Sequence, residues 1–199
     1  MWVVKLGGSL WQSPWLLRWL ERLHETGQPV VVVPGGGPFA DQVRVVQSYW
    51  QFNDRAAHNM ALYAMEQMAQ MLCALQPACV VASSPEAIHR AQADGGLPVW
   101  SPVAMLIDDP AIEADWSITS DSLALWLARR LQAHGVVLVK SATLPDSVAD
   151  PGQLSREGVV DAAFQHYRGL LGCPVYIAYR EQVDAWPLVT AKPPAMLSA

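Results

Sequence analysis

The chain has 199 residues, 52% of them hydrophobic and 16% charged, with a formal net charge of −5. That length fits one domain with a large core, and the composition excludes a disordered chain and a basic field that would attract nucleic acid. No apolar run reaches the roughly 18 residues needed to span a bilayer, and Cys73, Cys79 and Cys173 form no CxxC pair or disulfide framework, which points to a reducing, cytoplasmic setting.

Residues 2–6 (Trp-Val-Val-Lys-Leu) read as a buried strand and lack the pattern of a signal peptide. A helix is predicted over 13–26. Ser13 is its cap and Pro14 its first position, Trp15, Leu16, Trp19, Leu20 and Leu23 recur at helical spacing, and Gly27 stops it. Residues 29–33 form a second strand, which runs into Pro34-Gly35-Gly36-Gly37-Pro38 and then a helix to about Trp50. The next helix, Asn53 to about Leu75, is rich in Ala and Met. Its methionines at 60, 65, 68 and 71 read as core or subunit interface. Further on come a strand at 78–82, a helix at 85–93 and a short strand at 97–99. Residues 101–118 show no clear pattern, and a helix runs from Thr119 to His134. Gly135–Lys140 is almost continuously apolar, as in a strand covered on both faces. Residues 141–157 read as an irregular loop, followed by a helix near 160–170, a strand near 174–178 and a loose Pro-rich tail over 187–199. This alternation gives the fold class α/β, a three-layer α/β/α sandwich on a mainly parallel sheet. Nine tryptophans imply bulky core or interface packing.

Five features could carry chemistry. Lys5-Leu6-Gly7-Gly8-Ser9 ends the first strand: glycines let backbone N–H groups approach an anion, and a lysine beside them neutralises charge. The bland alternative is a tight turn. Gly35-Gly36-Gly37 is costly to order unless something approaches the backbone closely. If strands one and two are neighbours, both loops emerge at their carboxyl ends, where open α/β sheets bind ligands. Thr119-Ser120-Asp121-Ser122 opens a helix. Thr119 or Ser120 can cap it, and Asp121 would gain from the helix dipole without any function. Lys140 ends an apolar strand where an anionic ligand would sit. Asp54 and His58 share a helix face behind the cap Asn53, and either hold one another or face a substrate. GxxxxGK[ST], GxGxxG, HExxH and GxSxG are absent, and the scattered histidines offer no metal site.

In this order the motifs resemble the amino-acid kinase superfamily. Lys5-x-Gly7-Gly8-Ser9, Gly35–Gly37 and Thr119–Ser122 match its opening, its glycine loop and its later helix start over roughly residues 2–180. Within it, Val33-Pro34 through Asp41, Ala56–Ala61, Ala64–Gln67, Trp116–Ser122 and Leu138–Lys140 resemble the short kinases of methanofuran biosynthesis, which convert an aminomethylfuran phosphate to its diphosphate. The resemblance implies a single kinase domain, with an acceptor half over about 1–115 and a nucleotide half over about 116–185. It implies ATP with Mg²⁺ carried by the nucleotide, a small phosphate substrate, and a homo-oligomer with no nucleic-acid or membrane partner. It casts Lys5, Asp121 and Lys140 as catalytic and Gly7, Gly8, Ser9, Gly35, Gly36 and Gly37 as phosphate-binding. Asp54, Arg55, His58, Thr119 and Ser120 become substrate-binding, with no protein metal ligand. The sequence departs from the pattern after Lys140, where Ser141–Asp146 replace an Asp-x-Asp-Gly loop, and it lacks the lysine of a Gly-Met-x-x-Lys element, Lys192 lying in the tail. An ATP- or oxoanion-storage protein on the same fold, a degenerate kinase, and a kinase for an isoprenoid phosphate, UMP or an amino-acid carboxylate are the alternatives.

Overall fold

Runs of valine set the centre of the sheet, because β-branched side chains fit a pleated surface covered on both faces. A computed structural model describes residues 1–141, 151–186 and 195–197. Its strands are β1 (Trp2–Leu6), β2 (Val30–Pro34), β3 (Cys79–Ala82), β4 (Leu97–Trp100), β5 (Gly135–Lys140), β6 (Val175–Tyr179) and β7 (Ala195–Met196). They form one sheet in the order β3-β4-β2-β1-β5-β6-β7. Every pairing is parallel except that of β7 with β6. The helices are α1 (Trp15–Glu25), α2 (Gly37–Trp50), α3 (Asp54–Leu75), α4 (Pro85–Ala93), α5 (Val103–Leu106), α6 (Ser120–Arg130), α7 (Pro151–Arg156) and α8 (Phe164–Gly169).

Successive strand residues point to opposite faces. Val3, Val31, Val33, Val136 and Leu138 accordingly join Leu62 and Met65 of α3 and Leu123 and Leu127 of α6 in one core layer. Val4, Leu6, Val30, Val32, Val137 and Val139 join Leu16, Trp19, Leu20 and Leu23 of α1 in the other. These side chains are all buried, and each contributes about 1.5–3 kcal/mol over its exposed state. The sandwich expected from the sequence is present.

Several boundaries differ from the sequence reading. A single 3-10 turn, Gly8–Gln12, separates β1 from α1, which starts at Trp15 with Pro14 at its cap. Ser13 Oγ still accepts from the Trp15 N–H at 3.3 Å. The helix predicted to His134 ends at Arg130, because Gln132 turns to a left-handed φ of 49°. Within 141–157, read as a loop, α7 forms around the buried Leu154, too few apolar positions to leave a periodic trace. The pair Ala195–Met196 forms β7 inside the expected loose tail. Residues 142–150, most of the tail and Lys192 lie outside the described residues. Among the described residues no helix is long and apolar enough to cross a membrane.

Candidate active site

The register Leu6↔Pro34 brings the loops after β1 and β2 out side by side. The Gly35 N–H donates to the Leu6 carbonyl at 2.9 Å, and the Gly7 N–H to the Val139 carbonyl at 3.0 Å. A Cβ on Gly35 would lie 2.3 Å from the Gly8 nitrogen, and one on Gly8 would lie 2.6 Å from the Gly37 nitrogen. Both clashes are with backbone, so only glycines let the loops touch. Gly37 also needs its positive φ of 53°. The glycines thus have a packing reason, and the packing has a chemical result. The amides of Gly8, Ser9, Gly36 and Gly37 donate to no acceptor among the described residues, and all four residues line one pocket. Unpaired N–H groups at the start of the 14-residue α2 favour a phosphate.

The same strand alternation that points Val3, Val136 and Leu138 toward α6 points Lys5 and Lys140 there. The first turn of α6 supplies Asp121 between them. Lys5 Nζ lies 2.8 Å from Oδ1, and Lys140 Nζ donates to Oδ2 at 2.5 Å. The Lys5 contact is a buried ion pair. Burial alone would raise the pKa of Asp121, but the two ammonium groups overcome it and hold the carboxyl down at about 2. Burial, then the charge of Lys5, pulls Lys140 down to about 8, against the opposing pull of Asp121. An acid so weakly basic positions the lysines and takes no proton at neutral pH.

Asp161 braces this cluster from behind. It accepts from the Thr119 N–H and hydroxyl at 2.8 Å each and from the Ser122 N–H at 3.0 Å, and the Ser122 hydroxyl donates to its other oxygen. Thr119 occupies the cap of α6 but makes no side-chain cap bond. Asp161 does the capping that the sequence reading gave to Thr119 or Ser120. Burial, then the charge of Asp121, raises its pKa. Ser9 Oγ lies 2.7 Å from Ser141 Oγ and ties the first glycine loop to the end of β5.

The pocket beside these groups holds about 230 Å³. Two helix stripes line it, each at i, i+3, i+4, i+7 spacing: Gly37, Ala40, Asp41 and Arg44 from α2, and His58, Ala61, Leu62 and Met65 from α3. Thr119 and Ser120 complete the side nearest Asp121. Trp116 closes the far end, with the Arg44 guanidinium 3.7 Å over its ring and its Nε1–H donating to Gln47 at 2.6 Å. Of the residues predicted to bind substrate, His58, Thr119 and Ser120 reach the pocket. Asp54 and Arg55 do not, since Asp54 accepts from Gln47 at 2.8 Å in a neighbouring depression. Gly7 and Gly35 hold the loops together without lining the pocket. The sequence reading missed Asp161 and gave no role to Asp41 or Arg44. The i, i+4, i+7 run from Gly37 through Asp41 to Arg44 was the available signal for those two. Among the described residues no group of three or more His, Cys, Asp or Glu could hold a metal ion.

Residues 1–143 match the family model described as "Amino acid kinase family". Over 152 residues the chain is 27% identical to the [5-(aminomethyl)furan-3-yl]methyl phosphate kinase of Methanocaldococcus jannaschii, covering 75% of this chain and 68% of that protein. Solved structures share the fold. The UMP kinase of Ureaplasma parvum superposes with a TM-score of 0.73 at 13% identity, covering 100% of this chain and 98% of that one. The uridylate kinase of Archaeoglobus fulgidus gives 0.72 at 15%, with 100% of both chains covered.

Proposed function

The chain belongs to the amino acid kinase family, and from that premise we propose that this phosphotransferase moves the γ-phosphoryl group of ATP onto a small acceptor that already carries a phosphate. The proposed acceptor is aminomethylfuran phosphate, converted to its diphosphate in methanofuran-type one-carbon cofactor biosynthesis, as the name of the M. jannaschii relative suggests. The observation that carries the reading is the Lys5–Asp121–Lys140 cluster beside the unpaired amides of the two glycine loops.

An oxygen of the acceptor phosphate attacks the γ-phosphorus, the bond from that phosphorus to the β-bridging oxygen breaks, and ADP leaves. The attacking oxygen is already anionic, so no general base is needed, in keeping with an Asp121 held near pKa 2. Catalysis then rests on positioning and charge. The amides of Gly8, Ser9, Gly36 and Gly37 seat the phosphate oxygens. Lys5 and Lys140, aimed by Asp121, offset charge on the transferred group. ATP is placed at the carboxyl ends of β5 and β6, beside Lys140. Mg²⁺ is assigned to the nucleotide phosphates, which carry it into the site. The proposed cytoplasmic homo-oligomer would form through α3, where Met60 and Tyr63 are exposed.

The test is ADP release by the purified chain with ATP and Mg²⁺ over a panel of aminomethylfuran phosphate, UMP, an isoprenoid monophosphate and an amino acid. The furan compound is expected to give the highest kcat/KM. A higher value for another member would overturn the acceptor, and no turnover with any would overturn the kinase role.

A further inference from the structure

One wall of the pocket is shared with a second depression. Arg44 and Trp116 line both the pocket of about 230 Å³ and a neighbouring space of about 370 Å³, and they are the two residues that the linings have in common. On the near side stand the glycine loops and the small or apolar side chains of Ala40, Ala61, Leu62 and Met65. On the far side stand Gln47, Ser48, Gln51, Phe52 and Asp54. At 1.5 Å rise per residue, Arg44 lies about 10 Å along α2 from Gly37. The wall therefore sets how far an acceptor can reach once its phosphate rests on the loop amides.

Trp116 is held in that wall from the far side. Its Nε1–H donates to Gln47 Oε1 at 2.6 Å, and Gln47 Nε2 donates in turn to Asp54 at 2.8 Å and to the Phe52 carbonyl at 3.3 Å. The backbone beside it is pinned by the Ser117 N–H, which donates to the Asp115 carboxylate at 2.7 Å. The Arg44 guanidinium lies 3.7 Å over the ring, and its partial burial strengthens such a stack. An indole has one polar atom, a donor. Here Gln47 takes it, so Trp116 offers the pocket shape and no hydrogen bond. It can select by size alone. The 230 Å³ it encloses is below the roughly 300–1,000 Å³ of pockets for larger ligands. Without the indole the two spaces would join and enter that range, and the amide, hydroxyl and carboxylate groups beyond would suit a hydrogen-bonding base.

We infer that Trp116, fastened by Gln47 and covered by Arg44, is the specificity residue that limits the acceptor to a phosphate on one small ring and shuts out a nucleoside monophosphate. This rests on the kinase reading above and names the feature by which the site would select its substrate. It also gives Asp54 a place, as an anchor behind the wall.

The experiment compares kcat/KM for aminomethylfuran phosphate and for UMP as acceptors in the wild type, Trp116→Ala and Trp116→Phe. The wild type is expected to prefer the furan compound. Small changes in pocket room shift such preferences by about 10–100-fold, and Trp116→Ala should raise the UMP-to-furan ratio by that factor. Trp116→Phe, which keeps a ring but loses the bond to Gln47, should raise it by less. General damage to the fold would lower both rates together and leave the ratio in place. A ratio unmoved in Trp116→Ala, or in Trp116→Phe should the alanine variant not fold, would overturn the inference while the kinase reading stood, as would equal use of both acceptors by the wild type. Calorimetry gives a readout without turnover. With a non-hydrolysable ATP analogue bound, UMP should bind Trp116→Ala about 10–100-fold more tightly, relative to the furan compound, than it binds the wild type. Turnover of neither acceptor counts against the kinase reading. The affinity ratio then decides the inference, which falls if that ratio is unchanged or if neither compound binds.

Discussion

The two edges of the sheet make an instructive contrast. At the amino ends of β2 and β4 lies the larger cavity, about 510 Å³, lined by His24, Gln28, His89 and Gln92 among others. At the carboxyl ends lies the smaller, about 230 Å³. In the larger one Gln92 donates to the Val30 carbonyl at 2.9 Å, and none of the orphaned buried side-chain atoms found among the described residues belongs to a residue lining it. The smaller one gathers unpaired glycine amides, an orphaned imidazole nitrogen and, beside it, a carboxylate shared by two lysines. Volume does not separate the two edges; unmet charge and hydrogen bonding do. Ligands of open parallel sheets bind at the carboxyl edge for the same reason, since there loops and helix N-termini leave donors unused.

Substitutions can break or sharpen that contrast. The largest effect is expected for Lys5→Ala at the carboxyl edge. On the proposed mechanism it removes an ammonium that offsets charge on the transferred group, and it should lower kcat by about 100–1000-fold. A loss below tenfold in the ADP-release assay would deny Lys5 its role. Asp161→Ala should follow. Stripping the acceptor from four donors at the start of α6 is expected to cost about 1–3 kcal/mol in chemical denaturation and to lower kcat about tenfold by loosening Asp121. Intact activity would show that Asp161 serves stability alone.

The pH dependence of the same edge has two signs. In the proposed mechanism Lys140 acts as a cation, and burial brings its pKa down to about 8 in the folded chain, so kcat/KM, which reports the free enzyme, should fall as pH rises through about 8. Stability should move the other way. The folded chain sheds that proton before the unfolded chain does, so between about 8 and the ordinary 10.5 the unfolded state binds more protons and Lys140 makes folding more favourable as pH rises. Parallel loss of activity and stability over that window would contradict the assignment. The smallest effect belongs to the amino edge. His89→Ala should leave kcat/KM within about twofold and stability within about 0.5 kcal/mol. A larger loss of activity would make the bigger cavity functional.

Much of the candidate site at the carboxyl edge was legible because its residues sit in contiguous runs at strand ends. Lys5, the two glycine loops, Asp121 and Lys140 each follow or precede an element whose apolar pattern is plain, and parallel pairing of β1 with its neighbours brings them together. What sequence could not show were partnerships across the chain. Asp161 caps a helix 42 residues upstream at Thr119, and no local signal marks a cap supplied from so far away. Arg44 on Trp116 is a similar case. The glycines were read as room for a ligand, whereas their first requirement is contact between the loops themselves. Asp54 and His58 were grouped as a pair on one helix face, yet Gln47 claims the first and the pocket receives the second.

Phosphorus-31 spectra of a reaction holding the purified chain, ATP, Mg²⁺ and aminomethylfuran phosphate test the central claim most directly. Transfer predicts that the monoester resonance gives way to a coupled diphosphate pair as ADP appears, and that Lys5→Ala suppresses both changes. An unchanged monoester resonance in a chain that binds ATP and the acceptor would contradict it.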